Sequence, residues 1–386
     1  MSAGSRGGPL AGMKIVEMEG IGPVPLAAML LADLGADVIR VERMAPSSIG
    51  IARPRECDLG LRGRSAVSVD LKRPEGVAFA LDLVSRADAL VEGFRPGVME
   101  RLGLGPDVCI KANPRLVYGR LTGWGQEGPL AATAGHDLNY LALTGVLDRL
   151  GRAGGPPTPP ANLLGDYAGG SLLMAFGLLA GILSARETGR GQVVDAAMTD
   201  GVSLLGIPLL GLVAAGIHDR PRGENLLDTG APHYDVYRCA DDRFLAIGAI
   251  EAKFRTVMLT GLGFDLPTFP DLEQRANWPE ARRLIANRVA QHPRAHWEAV
   301  FDGSDACVTP VLTFEEAARH PHNRSRVAHV DIDGVMQPAP GPRFSATPPG
   351  KPCGPQHDRG AAAEALARWG VEERRCHELR ASAAML

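Results

Sequence analysis

Short apolar runs alternate with helical patterns through the first third of the chain. Strands are predicted at residues 14–18, 37–41, 66–70, 89–92 and 115–121, helices at residues 25–34 and 74–86, and a further strand at residues 193–197. A strand, a helix and a second strand in succession form a βαβ unit, and its repetition builds a doubly wound parallel sheet. The predicted fold class is therefore α/β.

The turn after the first predicted strand reads Gly20-Ile21-Gly22-Pro23-Val24-Pro25. Glycines at this position of a βαβ unit can let the backbone approach the pyrophosphate of a dinucleotide. Proline stands where the third glycine of that pattern belongs, which disfavours a nicotinamide site.

The length of the chain and a change in its sequence pattern after residue 228 indicate two domains. Its 386 residues exceed what one simple core usually holds. Residues 234–238 and 243–249 predict a β-hairpin, and residues 279–291 predict an amphipathic helix. We predict a large domain at residues 1–200 completed by 340–386, a linker helix at 201–227, a small α+β domain at 228–320 and a return linker at 321–339. The helical segment 360–379 is expected to pack back on the large domain.

Charge and cysteine usage narrow the class of protein. The net charge of -3 and the pI near 6.4 leave no basic surplus, which argues against nucleic acid or an anionic membrane as partner. The six cysteines form no Cys-x-x-Cys pair and suit reduced thiols in a cytoplasmic protein. The first eight residues lack a signal-peptide pattern, and the apolar stretches at 172–183 and 202–215 fall short of the ~20 residues that span a bilayer.

Two titratable residues stand out between the predicted strands. Asp166 precedes an apolar helix predicted at 171–183, where a carboxylate would cap the helix beside amides that can hold negative charge. His136 lies thirty positions earlier, and a chain that folds back could set its imidazole opposite that carboxylate. Two proton carriers at one oxyanion-binding point suit enolate chemistry. Simple capping by Asp166 and a structural role for His136 are the alternatives, although the glycines 165, 169 and 170 would let a ligand come close to the backbone.

Basic residues near the ends of predicted strands form a second pattern, at Arg40, Lys72, Arg95 and Arg101. The carboxyl ends of strands in an open α/β sheet form the ligand crevice, so these cations could converge on a polyphosphate. Taken singly, each could be an ordinary solvated charge.

With these residues in view, the chain resembles the α-methylacyl-CoA racemase branch of the family III CoA-transferase superfamily. The matching motifs include Gly135-His136-Asp137-Leu138-Asn139-Tyr140 and Gly165-Asp166, and others lie at residues 14–17, 33–42, 70–72, 93–98, 122–126, 189–198 and 248–251. These motifs occur in the same order along the chain, and the resemblance covers roughly residues 10 to 345.

The resemblance implies a fold and a reaction. The fold would be a Rossmann-like large domain with a smaller α+β domain, in an interlocked homodimer whose active sites lie between the large domain of one subunit and the small domain of the other. The substrate would be a 2-methylacyl-CoA thioester, with His136 and Asp166 exchanging its α-proton from opposite faces. Glu251 would orient His136, and Asn162 would position Asp166.

The resemblance also implies where CoA binds. Its contacts would be Arg40, Val69, Asp70, Leu71, Lys72, Gly93, Phe94, Arg95, Arg101, Gly135, Asp137, Leu138, Asn139 and Tyr140. CoA is then part of the substrate, and no metal or further cofactor is required. The Asp166 backbone N–H, at the expected helix start, is the natural donor to the enolate oxygen.

Transferases of the same superfamily are the alternative, because they use an aspartate at the Asp166 position as a nucleophile that forms an acyl-aspartyl anhydride. The segment Gly248-Ala249-Ile250-Glu251-Ala252-Lys253 carries one glycine where those transferases have a glycine-rich loop. This difference and the presence of His136 favour the racemase. Retention of His136, Asp166 and Glu251 also argues against a CoA-binding protein without catalysis.

Overall fold

The computed structural model of the chain describes residues 7–45, 50–356 and 359–386. Most of the N-terminal segment expected to lack a signal peptide lies outside these residues. The chain forms two compact units. The first comprises Met1–Thr144, Ala161–Leu205 and Arg324–Leu386, and the second comprises Gly145–Pro160 and Gly206–Asn323.

A six-stranded parallel sheet is the centre of the first unit, which confirms the predicted α/β class. Its strands are β1 (Lys14–Met18), β2 (Asp37–Glu42), β3 (Ser65–Ser68), β4 (Ala89–Glu92), β5 (Val117–Thr122) and β6 (Gln192–Ala197). They lie in the order β3-β2-β1-β4-β5-β6, and every neighbouring pair is parallel. The order reverses between β1 and β4, and ligands of open α/β sheets bind beyond the carboxyl ends of strands at such a point.

Helices cover both faces of this sheet. The helices of the first unit are α1 (Pro23–Asp33), α2 (Pro74–Ser85), α3 (Val98–Arg101), α4 (Pro106–Ala112), α5 (Asp137–Leu143), α6 (Leu173–Thr188), α7 (Met198–Leu205), α14 (Arg359–Arg368) and α15 (Glu373–Ala381). Successive residues of a strand point to opposite faces. Ile15 accordingly packs with the side of α1 and α6, whereas Val16 packs with α2, α14 and α15.

The C-terminal segment belongs to the core of the first unit, as predicted. The side chains of Leu366, Trp369 and Leu379 are 1–2% exposed and pack in one cluster with Phe79 of α2. The predicted single helix at 360–379 is two helices, because Gly370 takes a left-handed conformation with φ 78°.

The helix that carries Asp166 is longer than predicted. A π-helical segment, Leu163–Leu172, leads directly into α6, and Gly189 with φ 74° ends the helix as expected. The combined Leu163–Thr188 helix has 26 residues and a mean hydropathy of 1.8, enough by length and composition to cross a membrane. Half of its most apolar stretch is buried, with Met174, Leu178 and Ile182 in the core of the first unit. The helix predicted at 171–183 was too short, because the observed helix begins eight residues earlier and ends five residues later.

The second unit is an α+β structure around an antiparallel sheet. Strands β7 (Tyr234–Arg238) and β8 (Phe244–Gly248) form the predicted hairpin, and β9 (Val308–Pro310) pairs with β8. Its helices are α8 (Ile207–Ala214), α9 (Ala252–Gly261), α10 (Trp278–Val289), α11 (Arg294–Phe301) and α12 (Phe314–Arg319). Ile247, Ile285 and Trp297 lie in its core.

Several predicted boundaries differ from the structure. Residues 145–160, assigned to the large domain, belong to the second unit. The predicted linker helix is broken into α7 and α8 at Gly206, and Pro208 lies in the first turn of α8, a position that suits proline because it lacks an N–H. The predicted return linker contains helix α13 (Pro321–Ser325) and a hairpin of β10 (His329–Ile332) and β11 (Val335–Pro338).

Candidate active site

A cavity of about 490 Å³ lies at the reversal point of the sheet and is called here the first cavity. Its walls are the loops after β1, β4 and β5, the segment that precedes α5, Asp166 and Met198. Both His136 and Asp166 line it. An imidazole and a carboxylate therefore face the same space, at the place where such a sheet binds ligands.

His136 is held by the turn that starts α5. The residue is extended, with φ -134° and ψ 172°, and its N–H donates to Asn139 Oδ1 at 3.0 Å. The Tyr140 hydroxyl donates to the Gly135 carbonyl at 2.5 Å, and the Tyr140 ring packs edge-on against Trp124. Burial raises the pKa of Tyr140 to about 12, so it remains a donor at neutral pH. The His136 side chain is exposed toward solvent.

Asp166 lies in the first turn of the π-helical segment. Asn162 Nδ2 donates to Asp166 Oδ2 at 3.1 Å. Burial raises the pKa of Asp166 above its ordinary value, and the Asp137 charge acts in the same direction, whereas the Asn162 bond and His136 act against them. A carboxyl with a raised pKa is a stronger base and a better general acid near neutral pH.

The glycine-rich turn after β1 contributes to this site. Gly22 has φ 67°, which favours glycine, and a Cβ there would lie 3.6 Å from Asp166 Oδ2. The Ser171 hydroxyl donates to the Pro23 carbonyl at 2.7 Å and so holds the same turn to the π-helical segment. The turn that suggested a dinucleotide site thus lies beside Asp166.

The predicted capping role of Asp166 was wrong, because the helix already begins at Leu163 and Asn162 takes the N-cap position. The predicted oxyanion donor was wrong as well. The Asp166 N–H donates to Asp137 Oδ1 at 2.8 Å, so this amide already has a buried partner. Sequence spacing could not reveal a contact between residues 29 positions apart.

A second cavity, of about 560 Å³, lies beyond the carboxyl ends of β2 and β3. It is lined by Val69, Asp70, Leu71 and Lys72 together with Phe94, all of which the resemblance assigned to CoA. Phe94 lines the first cavity too, as do Gly93, Arg95, Gly135 and Tyr140. Most of the implied CoA positions therefore gather around two adjacent cavities.

Arg43 is a cation that the sequence reasoning missed. It is exposed and lines both cavities, and its backbone N–H donates to Glu19 Oε2 at 2.6 Å. The rule that selected cations at strand ends would have found it if β2 had been predicted to end at Glu42.

Arg40 is not available to a CoA phosphate, contrary to the implied contact. Its side chain is 6% exposed, ion-paired with Glu17, and its Nε donates to Glu42 Oε1 at 3.0 Å. Arg40 lies within β2 and not at its end, so its side chain enters the core instead of the crevice.

Four other implied CoA residues lie outside the walls of both cavities. Asp137 is 4% exposed, and its carboxylate holds backbone amides. Arg101, Leu138 and Asn139 are exposed. The Asn139 side chain instead fixes the turn at His136.

Glu251 belongs to the second unit, where it takes the N-cap position of α9. Its carbonyl accepts the N–H groups of Phe254 and Arg255, both at 3.0 Å, and its side chain is exposed. A role toward His136 stays a prediction.

Comparisons with known proteins agree on one group. The family model described as CoA-transferase family III matches residues 10–358. The α-methylacyl-CoA racemase of Mus musculus is 44% identical over 340 residues, which cover 88% of this chain and 87% of the relative. The acetyl-CoA:oxalate CoA-transferase of Acetobacter aceti is 30% identical over 373 residues, covering 92% and 95%. The crystal structure of a CAIB/BAIF family protein from Brucella suis shares the fold, with a TM-score of 0.80, 24% identity and coverage of 94% and 100%.

Proposed function

The chain belongs to CoA-transferase family III, and we propose that within this family it is an α-methylacyl-CoA racemase that interconverts (R)- and (S)-2-methylacyl-CoA. The mouse racemase is considerably more similar to it than the oxalate transferase, at 44% against 30% identity. The observation that carries the proposal is a single cavity lined by both His136 and Asp166.

Proton transfer divides between these two residues. Asp166 takes the α-proton of one enantiomer and His136 returns a proton to the opposite face, and the roles exchange for the other enantiomer. Positioned acid–base groups each contribute roughly 10² to 10⁴ in rate. Burial around Asp166 supports this role, because it raises the pKa of that carboxyl toward the working range. The Asn162 amide orients the carboxylate through its bond to Oδ2.

The enolate oxygen requires a donor other than the Asp166 amide. That amide already donates to Asp137 Oδ1, so in this proposal the enolate oxygen takes its hydrogen bond from another group that lines the first cavity.

The CoA moiety binds across the two cavities as part of the substrate. We assign the thioester to the first cavity and the nucleotide to the second, with Arg43, Lys72 and Arg95 as the phosphate-binding cations. All three are exposed and line at least one cavity, which supports this assignment. Proton transfer between these residues requires no additional cofactor or metal.

The working form in this proposal is the interlocked homodimer, with Glu251 of a partner copy orienting His136. Helix α8 supports the proposed dimer. Among the described residues none of the α8 side chains is buried, and Ile207 and Leu210 are 57% and 64% exposed. Several large apolar side chains exposed on one helix often mark a surface that another protein chain covers. We expect the protein to act in the cytoplasm, without nucleic acid or membrane as partner.

The test is incubation of the protein with (R)- or (S)-2-methylacyl-CoA in D₂O. Deuterium at C2 together with loss of optical purity, with no acid acceptor present, supports the racemase. Transfer of CoA to an added free acid, with hydroxylamine trapping at Asp166, would establish the transferase instead.

Asp166→Ala should abolish racemisation, and Asp88→Asn is the matched control. Asp88 also accepts a backbone amide, that of Lys14 at 2.8 Å, but it lines neither cavity. Full activity of Asp166→Ala would contradict the proposed mechanism.

A further inference from the structure

The carboxylate of Asp137 joins the two elements that carry the candidate proton carriers. Asp137 Oδ1 accepts the N–H of Gly165 at 2.6 Å and the N–H of Asp166 at 2.8 Å. Asp137 also follows His136 directly in the chain and is the first residue of α5. One side chain therefore connects the backbone of His136 with the backbone of Asp166.

We propose that Asp137 is the positioning residue that sets the spacing and relative orientation of His136 and Asp166. The inference rests on the racemase function proposed above and replaces the implied role of Asp137 in binding CoA. Its side chain is too deeply buried for that role, at 4% exposure. Charge-assisted hydrogen bonds from a carboxylate to backbone amides are stronger than neutral ones, which suits a fixed link.

The surroundings of the link leave little freedom. A Cβ at Gly165 would lie 2.6 Å from Asp137 Oδ1 and 3.0 Å from Leu141 Cδ1. Glycine at 165 is what lets the carboxylate reach the amides. Gly169 packs as closely, with a Cβ position 2.9 Å from the Val202 nitrogen of α7. The π-helical segment is therefore held by α5 in its first turn, at Gly165, and by α7 further along, at Gly169.

Asp137 also acts on Asp166 through its charge. Asp137 Oδ2 is buried without a hydrogen-bond partner among the described residues, so water does not screen its charge effectively. The groups facing Asp166 are Asp137, His136 and Tyr140 from α5 and its preceding turn, and Asn162 from its own segment. The α1 turn contributes Gly22 and Pro23, which do not titrate. Among these groups the charge of Asp137 is the one that raises the pKa of Asp166.

Two substitutions separate the hydrogen-bonded link made by Asp137 from the effect of its charge on Asp166. Asp137→Asn keeps the size and one acceptor oxygen but removes the charge, whereas Asp137→Ala removes the acceptor as well. Asp88→Asn is the control, because it neutralises another carboxylate that holds a backbone amide in the same unit.

The first readout needs no substrate. Hydrogen exchange followed by mass spectrometry should show loss of protection at residues 163–172 in Asp137→Ala, with protection largely kept in Asp137→Asn and in the control. Unchanged protection of that segment in Asp137→Ala would overturn the proposed link.

The second readout is the pH profile of racemisation. Asp137→Asn should move the acidic limb of kcat/KM to lower pH, because removing a neighbouring negative charge lowers the pKa of Asp166. Asp137→Ala should lower kcat by about 100-fold with KM for the thioester nearly unchanged, the loss expected for a misplacement of about 1 Å. An unshifted limb in Asp137→Asn with full kcat in both variants would refute the positioning role. A wild-type protein that exchanges no C2 proton would refute the racemase instead, while the exchange protection would still report on the link.

Discussion

Replacing Arg40 by alanine should destabilise the protein more than it weakens substrate binding. Arg40 is 5% exposed and ion-paired with Glu17, which is fully buried, and it donates further to Glu42. Glu17 has a second partner, Arg64, whose Nε lies 3.0 Å from Glu17 Oε2. Burial lowers the pKa of Arg64 to about 10, so it stays charged at neutral pH.

The magnitude follows from the burial of this pair. Removing one partner of a buried ion pair costs roughly 3 to 5 kcal/mol, because the other charge is left uncompensated. Arg64 still compensates Glu17 in part, so we expect the lower end, about 3 kcal/mol. For a unit of this size each kcal/mol lowers Tm by about 2–4 °C. The expected fall in Tm is therefore about 6 to 12 °C.

Thermal unfolding and racemisation kinetics, measured on the same samples, test this reasoning. Lys72→Ala is the matched control, since Lys72 is exposed and lines the second cavity. It should raise KM for the CoA thioester while leaving Tm within about 1 °C. If Arg40→Ala instead keeps the wild-type Tm and raises only KM, Arg40 contacts CoA and its burial in β2 has been misinterpreted.

Three further predictions follow from the same contacts. Asn162→Ala should lower kcat/KM about tenfold and move the acidic limb of its pH profile to higher pH, because the lost amide stabilised the ionised form of Asp166. An acidic limb at the wild-type pH would contradict the hydrogen bond between Asn162 and Asp166. Burial raises the pKa of Glu92 from 4.5 to about 7, so its contribution to stability is complete below pH 4.5 and is lost as the pH rises to about 7. In urea unfolding, the free energy of unfolding should therefore fall less between pH 5 and pH 8 for Glu92→Gln than for the wild type. Equal falls in the two proteins would exclude titration of the buried Glu92. Gly165→Ala should cost roughly 1–3 kcal/mol, because the new methyl group would collide with a carboxylate oxygen at 2.6 Å. Gly211→Ala is the control and should not destabilise, because among the described residues outside its own helix turn and chain neighbours no atom lies within 4 Å of the added carbon. Equal Tm values for the two variants would argue against the close packing at Gly165.

The sheet was predictable because parallel strands buried on both faces are marked by continuous apolar runs. β1 and β4 have the predicted bounds, and β2 extends one residue beyond its prediction. The helix of Asp166 was predicted too short for a related reason. Apolar periodicity appears only from Ser171 onward. The π-helical segment Leu163–Leu172 contains three glycines and has no apolar periodicity that would predict a helix.

The sequence predicted which titratable residues form the candidate site, but not the hydrogen bonds and ion pairs of the residues around them. His136 and Asp166 line one cavity, in keeping with the prediction that the chain folds back between them. The residues flanking them were harder to assign. The resemblance assigned the charged residues Asp137 and Arg40 to CoA, yet both are buried and bind other parts of the protein.

The sequence by itself determined the parallel sheet, the second α+β unit, the family and the two titratable residues. Local patterns of apolar, glycine and charged residues specify these features, because strand and helix periodicities act over a few residues. Only the tertiary structure decided which charges face the cavities and which are enclosed. That choice depends on contacts between residues 23 positions apart, as for Arg40 and Glu17, or 29 apart, as for Asp137 and Asp166. The free energy of burying such a charge is set by the partner it meets after folding.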